Sequence, residues 1–179
     1  MNYHQVFTDD MRNGEGLRVV LFVSGCNHHC PECHNPQTWD LKSGQPFTAE
    51  TKAEIFRELE KDYIDGITFS GGDPLHPSNV EFINNLITEI RSKFPTKTIW
   101  IYTGYSFEYI TNPNYILQGN VDLETFCHRF LSVCLCDVLV DGMFIKELSD
   151  VNYPWAGSTN QRVIDVQRSI QMGKVILLD

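Results

Sequence analysis

The sequence predicts an α/β domain: an incomplete (partial) βα barrel with a mainly parallel sheet of five or six strands, or an open α/β sheet of the same composition. Three observations predict it. Short apolar runs rich in β-branched residues recur along the chain, and segments of helical period separate the first of them. At 179 residues the chain has the length of one domain, 1–179, and with so few strands it cannot close an eight-stranded barrel.

The first strand is read at residues 17–23, LRVVLFV, a nearly continuous apolar run of the kind found in strands buried on both faces. A helix follows from Thr48 onward, with Ala53, Phe56, Leu59 and Tyr63 at three- and four-residue steps. Residues 67–69 form the next strand, and Val80, Ile83, Ile87, Ile90 and Phe94 mark a second helix. Ser78 and Glu81 have the spacing of a capping box, in which serine and glutamate satisfy two free N–H groups of the first turn. Strands are then expected at 99–102, 138–140, 163–164 and 175–178, with a third helix over 122–135 capped by Asp122. In either arrangement, ligands gather at the carboxyl ends of the parallel strands.

Composition narrows the function. Fourteen Lys and Arg against 23 Asp and Glu give a net charge of −9, with the basic residues scattered, so a nucleic-acid partner is not expected. No apolar run reaches the ~20 residues of a membrane span. The N-terminus also lacks a charged-then-apolar signal pattern, so the expectation is a soluble, cytoplasmic protein with no membrane partner. Six cysteines are too few for a disulfide scaffold and fit a reducing compartment.

Cys26, Cys30 and Cys33 lie within CNHHCPEC at residues 26–33, on the loop after the first strand, where a ligand is expected. Three thiols at this spacing on a short loop can face one metal centre. Without a local fourth cysteine, the residues leave two chemistries open. One is structural zinc, with His28, His29 or His34 as fourth ligand; the other is an iron–sulfur cluster with one iron open to a small molecule. A second motif, SGGDP at 70–74, occupies the end of the next strand, where paired glycines allow close backbone approach.

CNHHCPEC resembles the CxxxCxxC signature of the radical S-adenosylmethionine enzymes, and SGGDP resembles their GGE-type turn. Further phrases in order extend the resemblance to the activating proteins of anaerobic, class III ribonucleoside-triphosphate reductases. They are NGEG at 13–16, CHNPQTW at 33–39, YTGY at 102–105, DVLVDG at 137–142 and GSTNQR at 157–162. The resemblance implies that Cys26, Cys30 and Cys33 hold a 4Fe-4S cluster, whose open iron binds S-adenosylmethionine. It also implies that Glu32, Cys33 and His34 lie along this cofactor and that Gly71, Gly72 and Asp73 cradle its methionine end. The implied protein substrate is the large reductase subunit, on which a glycyl radical is made, with an electron donor such as a flavodoxin-type protein.

Glu32 replaces the aromatic residue common in the superfamily, and His34 also reads as a loop histidine that caps backbone. Tyr102-Thr103 lacks the Asp of the Asp-Thr pair with which pyruvate formate-lyase activators hold a monovalent cation, so no such site is implied. Tyr102 to Tyr105 and Asp141 stand at strand ends facing the same cavity, or serve packing and turns. Cys127, Cys134 and Cys136 read as small apolar side chains. Trp39, Trp100 and Trp155 read as core, with Trp155 in a turn also suited to face a partner. Two alternatives remain: an activator of another glycyl-radical enzyme, and a non-catalytic zinc-binding module.

Overall fold

The computed structural model describes residues 1–178. Strands β1 (Asn2–Asp10), β2 (Arg18–Val23), β3 (Gln45–Pro46), β4 (Gly66–Gly71), β5 (Thr98–Tyr102), β6 (Val138–Asp141) and β7 (Arg162–Asp165) form one sheet in the order β3-β1-β2-β4-β5-β6-β7. The four central strands β2, β4, β5 and β6 are parallel. β1 runs antiparallel to β2, β3 to β1 and β7 to β6. The sheet therefore has seven strands, one more than the upper expectation of six: β1 and β3 are additional, and the strand expected at 175–178 is replaced by a single bridge, Leu177 to Ile164.

Helices α1 (Ala49–Leu59) and α2 (Val80–Lys93) connect the first parallel strands. α3 (Phe107–Thr111), α4 (Asn114–Leu117) and α5 (Leu123–Leu135) lie between β5 and β6, and α6 (Val166–Met172) follows β7. Side-chain caps fix four helix starts. Thr48, Ser106, Asp122 and Asp165 each accept an N–H from the first turn of the helix that follows.

The expected capping box does not form at α2. Asn79 is the N-cap residue without a capping side chain, because its amide is turned into the protein to donate to the carbonyls of Ser24 and Asp73. The buried face of α1 is also rotated from expectation. Thr51, Ile55 and Leu59 are buried, whereas Ala53 is exposed and Tyr63 lies beyond the helix in solvent.

Alternation along the strands makes two layers. Val19, Leu21, Ile67, Phe69, Ile99, Ile101 and Leu139 join Ile55 and Leu59 of α1, Ile83 and Ile87 of α2 and Val133 of α5 in the main core. Trp100, Val138, Val140 and Val163 form a second cluster, against which Tyr102, Trp155 and Ala156 pack. Arg18, fully buried at the start of β2, donates to the hydroxyls of Thr68 and Thr98 and to the carbonyls of Glu15, Ile67 and Thr98. Its guanidinium lies 5.3 Å from the Trp100 ring centre. Burial lowers its pKa to about 10, against the opposing field of Tyr102 and Asp65. This hydrogen-bonded arginine ties the chain entering β2 to β4 and β5 at the amino ends of the strands, leaving the carboxyl ends to carry the site.

Candidate active site

Because β2, β4, β5 and β6 are parallel, the turns at their carboxyl ends meet on one edge of the sheet. There they line a cavity of about 120 Å³. Cys26, Cys30 and Cys33 all border it, with Gly71, Gly72 and Asp73 from the end of β4 and Tyr102, Thr103 and Gly104 from the end of β5. The two predicted motifs, some forty positions apart in sequence, share this space.

The cysteine loop is built by backbone contacts. Gly25 and Cys26 donate to the carbonyls of Thr38 and Trp39 at 2.7 and 3.0 Å, closing the loop at its base, and Cys33 N–H donates to the Cys30 carbonyl. His29 and Glu32 adopt left-handed φ values of 47° and 54°. Such conformations cost about 1–3 kcal/mol each in non-glycine residues and persist where the surroundings enforce them.

All six cysteines are free thiols. Burial pushes the Cys26 thiol up to about 11, opposed by the backbone N–H groups of His28 and His29. Burial also raises Cys30, opposed by the N–H of Phe144. Asn35 N–H donates to Cys33 Sγ at 3.3 Å. Burial therefore keeps Cys26 and Cys30 as thiols in the absence of a metal, and backbone N–H groups only partly oppose it.

Three free thiols bordering one cavity are a donor set that suits a cluster. Among the described residues no three His, Cys, Asp or Glu side chains converge on one ion position. Three thiols around a common cavity instead suit a group with three separate corners. Of the candidate fourth zinc ligands, His28 borders the same cavity but commits its Nε2 to the Asp73 carboxylate, and the other two pack against aromatic rings, His29 edge-on against Trp39 and His34 against Phe144. A further observation agrees: Trp39 lines the cavity, and its buried Nε1–H has no partner among the described protein atoms.

The glycines of the β4 turn are dictated by neighbouring backbone. Gly71 has φ 97°, and a Cβ there would lie 2.8 Å from Phe22 Cα; a Cβ on Gly72 would lie 2.6 Å from the Gly25 carbonyl oxygen. Asp73 is 1% exposed. Its carboxylate accepts from His28 Nε2 at 2.7 Å, Thr103 Oγ1 at 2.9 Å, Gly104 N–H at 3.1 Å and Leu75 N–H at 2.8 Å.

Other predicted residues are placed differently. Glu32 is exposed and pairs with Lys146 at 3.3 Å, outside the cavity. His34 borders an adjoining hollow of about 400 Å³ with Arg12, Asn13, Tyr153 and Trp155. Cys33, Ser70, Tyr102, Phe144 and Gln161 form the wall shared by both spaces. Asp141 turns away to accept from Arg162 and from the Phe107 N–H. Cys136 is fully buried in the main core, Cys134 is half-buried and Cys127 is exposed. Trp100 is core, whereas Trp39 and Trp155 border the cavity and the hollow.

Sequence reasoning missed Phe144, and gave Gln161, inside the GSTNQR phrase, no role; both stand on the segment after β6 without a metal-ligand signature. Gln161 holds that segment in place: its Nε2 donates to the Gly142 carbonyl and its Oε1 accepts from the N–H groups of Gly157 and Ser158.

Comparison with known proteins agrees with the geometry. Residues 12–164 match the family model described as a 4Fe-4S single cluster domain. An anaerobic ribonucleoside-triphosphate reductase-activating protein of Escherichia coli (strain K12) is 44% identical over 165 residues, covering 91% of this chain and 97% of the relative. Proteins of the same name from Enterobacteria phage T4 and Vibrio cholerae are 42% and 39% identical over 163 residues. Those alignments cover 91% and 90% of this chain, and 93% and 96% of the relatives. With three thiols gathered beside a glycine turn, and this similarity running along nine-tenths of its length, the chain belongs to the family of anaerobic ribonucleoside-triphosphate reductase-activating proteins.

Proposed function

We propose that the protein holds one 4Fe-4S cluster on Cys26, Cys30 and Cys33, binds S-adenosylmethionine beside it, and generates a glycyl radical on the large anaerobic ribonucleotide reductase subunit. The observation that carries this reading is the convergence of three free thiols and the Gly71-Gly72 turn on one cavity at the carboxyl ends of the parallel strands. A cluster held by Cys26, Cys30 and Cys33 would, when reduced, supply the one electron for reductive cleavage of S-adenosylmethionine, the chemistry from which the glycyl radical would follow.

The chain's own part is positioning and shielding. Gly71 and Gly72 present backbone without side chains to the methionine end, and Asp73 fixes their turn against the cysteine loop. Trp39, Tyr102 and Phe144 surround the cavity with rings. The adjoining hollow, which shares the Cys33 wall and has His34 on its rim, gives the adenosyl end and the glycine-bearing segment a way in. Glu32, on the outer side of the loop, meets cofactor or partner only from that side.

An incomplete βα barrel is the reading of the sheet that accounts for loops filling one face and helices covering the other. A flavodoxin-type electron donor and a cytoplasmic setting complete the proposal. No helix of the structure is long and apolar enough to cross a membrane.

The test is anaerobic reconstitution with iron and sulfide, followed by S-adenosylmethionine, a strong reductant and the reductase subunit. The expected result is 5′-deoxyadenosine release and a glycyl-radical resonance, both lost in Cys30→Ala. A chain with a full complement of iron that releases none, even with the reductase present, sinks the proposal; so does one that binds zinc in place of iron.

A further inference from the structure

Two buried side-chain donors lack partners among the described residues, Trp39 Nε1 and Asn84 Nδ2, and of these residues only Trp39 borders the cysteine cavity. A buried N–H without an acceptor costs about 1–3 kcal/mol, so its partner is sought in whatever occupies that cavity. Trp39 is held in place before anything binds. Its carbonyl accepts the Cys26 N–H at 3.0 Å, which fixes its backbone beside the first cysteine, and its ring meets His29 edge-on with centres 4.8 Å apart. None of the three cysteine sulfurs is its hydrogen-bond partner.

We propose that the Trp39 indole N–H is a hydrogen-bond donor to an inorganic sulfide of the 4Fe-4S cluster, making Trp39 a residue that sets the cluster's reduction potential. This rests on the proposed function above, in which the cavity holds the cluster. Hydrogen bonds to cluster sulfur raise the potential, because the reduced form carries the extra negative charge that a donor stabilises. The Trp39 N–H thus eases the one-electron reduction on which cofactor cleavage depends.

The experiment compares the full-length reconstituted protein with Trp39→Phe, which keeps an aromatic ring and removes the donor. Iron and sulfide content, far-ultraviolet circular dichroism and the midpoint potential are measured without S-adenosylmethionine. The expected result is unchanged iron content and fold, with a downward shift equivalent to about tenfold less reduced cluster at a fixed potential, or about 59 mV for one electron.

Equal potentials in two iron-replete proteins overturn the inference. A difference that appears only after S-adenosylmethionine is added also overturns it, by assigning the N–H to the cofactor. A wild-type protein that assembles no cluster overturns the proposed function instead. As a measurement independent of the variant's folding, the reduced wild-type protein labelled with indole-15N is expected to show a nitrogen hyperfine coupling to the cluster in pulsed electron–nuclear resonance. Absence of any 15N coupling overturns the proposal.

Discussion

His28 and Asp73 meet at 2.7 Å although 45 positions separate them, and this contact binds the cysteine loop to the end of β4. The same carboxylate reaches Thr103 and Gly104 at the end of β5. One buried side chain therefore joins three segments that the proposed chemistry needs in register. Asp73→Ala leaves the hydroxyl of Thr103, the N–H groups of Leu75 and Gly104 and the His28 ring without their acceptor. The expected loss is about 3 kcal/mol in denaturant unfolding, with reduced iron retention. Asp73→Asn, which keeps one acceptor oxygen, is expected to lose less; equal stability of Asp73→Ala and the native chain would show that the network contributes nothing.

The cysteines divide by location. Alanine at Cys26, Cys30 or Cys33 is expected to abolish cofactor cleavage and to deplete iron, read by iron analysis and 5′-deoxyadenosine release. Alanine at half-buried Cys134 is expected to leave both intact. Cys136→Ala in the core is expected to keep the iron while costing about 1 kcal/mol of stability. Iron loss in either of the last two would place a metal ligand outside the loop.

Gly72 faces backbone rather than a movable side chain. A methyl group there would meet the Gly25 carbonyl, directly before Cys26, so Gly72→Ala must push the β4 turn and the cysteine loop apart. We expect at least tenfold weaker retention of iron in a chelator challenge, with the helical content preserved. Retention equal to the native chain would show that the loop accommodates the methyl group without moving.

His76 gives a pH signature. It is 4% exposed, and its Nδ1 accepts the Ser78 N–H, which requires the neutral ring with its proton on Nε2. Burial lowers its pKa below the usual 6.5; Asp73 opposes the shift, while Arg129 and His28 reinforce it. A base depressed in this way is protonated first in the unfolded chain. Its stabilising contribution is therefore full above about pH 6.5 and declines as pH falls from there toward the folded-state value. Unfolding free energies measured from pH 7.5 to 5.5 are expected to fall less steeply for His76→Gln than for the native chain.

The central fold was legible because its signals are intrinsic. Residues 17–23, 67–69, 99–102 and 138–140 are apolar enough to announce strands buried on both faces, and Asp122 caps α5 as its spacing indicates. β1 escaped because NYHQVFTDD is polar, irregularly alternating and interrupted by two register shifts, so its pairing comes from its neighbours rather than from its own pattern. α3, α4 and α6 are too short for periodicity to reveal them.

At the site, the cysteine and glycine motifs were visible because their residue types are rare and closely spaced. The commitment of Asp73 and Asn79 to distant segments was not, since a side chain's partner is fixed by tertiary packing. The capping-box pattern of Ser78 and Glu81 was misleading for that reason: the helix begins after Asn79, whose amide is oriented to donate to the Ser24 and Asp73 carbonyls rather than to accept an N–H of the first turn.

Phe144, which borders the cavity with the three cysteines, also constrains the order of biogenesis. During synthesis Cys33 emerges roughly a hundred residues before Phe144, an interval on the order of ten seconds at about 5–20 residues per second. Throughout it the three thiols lie on a nascent chain without their later-made wall, open to oxidants and to stray metal ions. On the proposed reading, a chain truncated before residue 144 would still display Cys26, Cys30 and Cys33 while lacking the Phe144 side of their cavity.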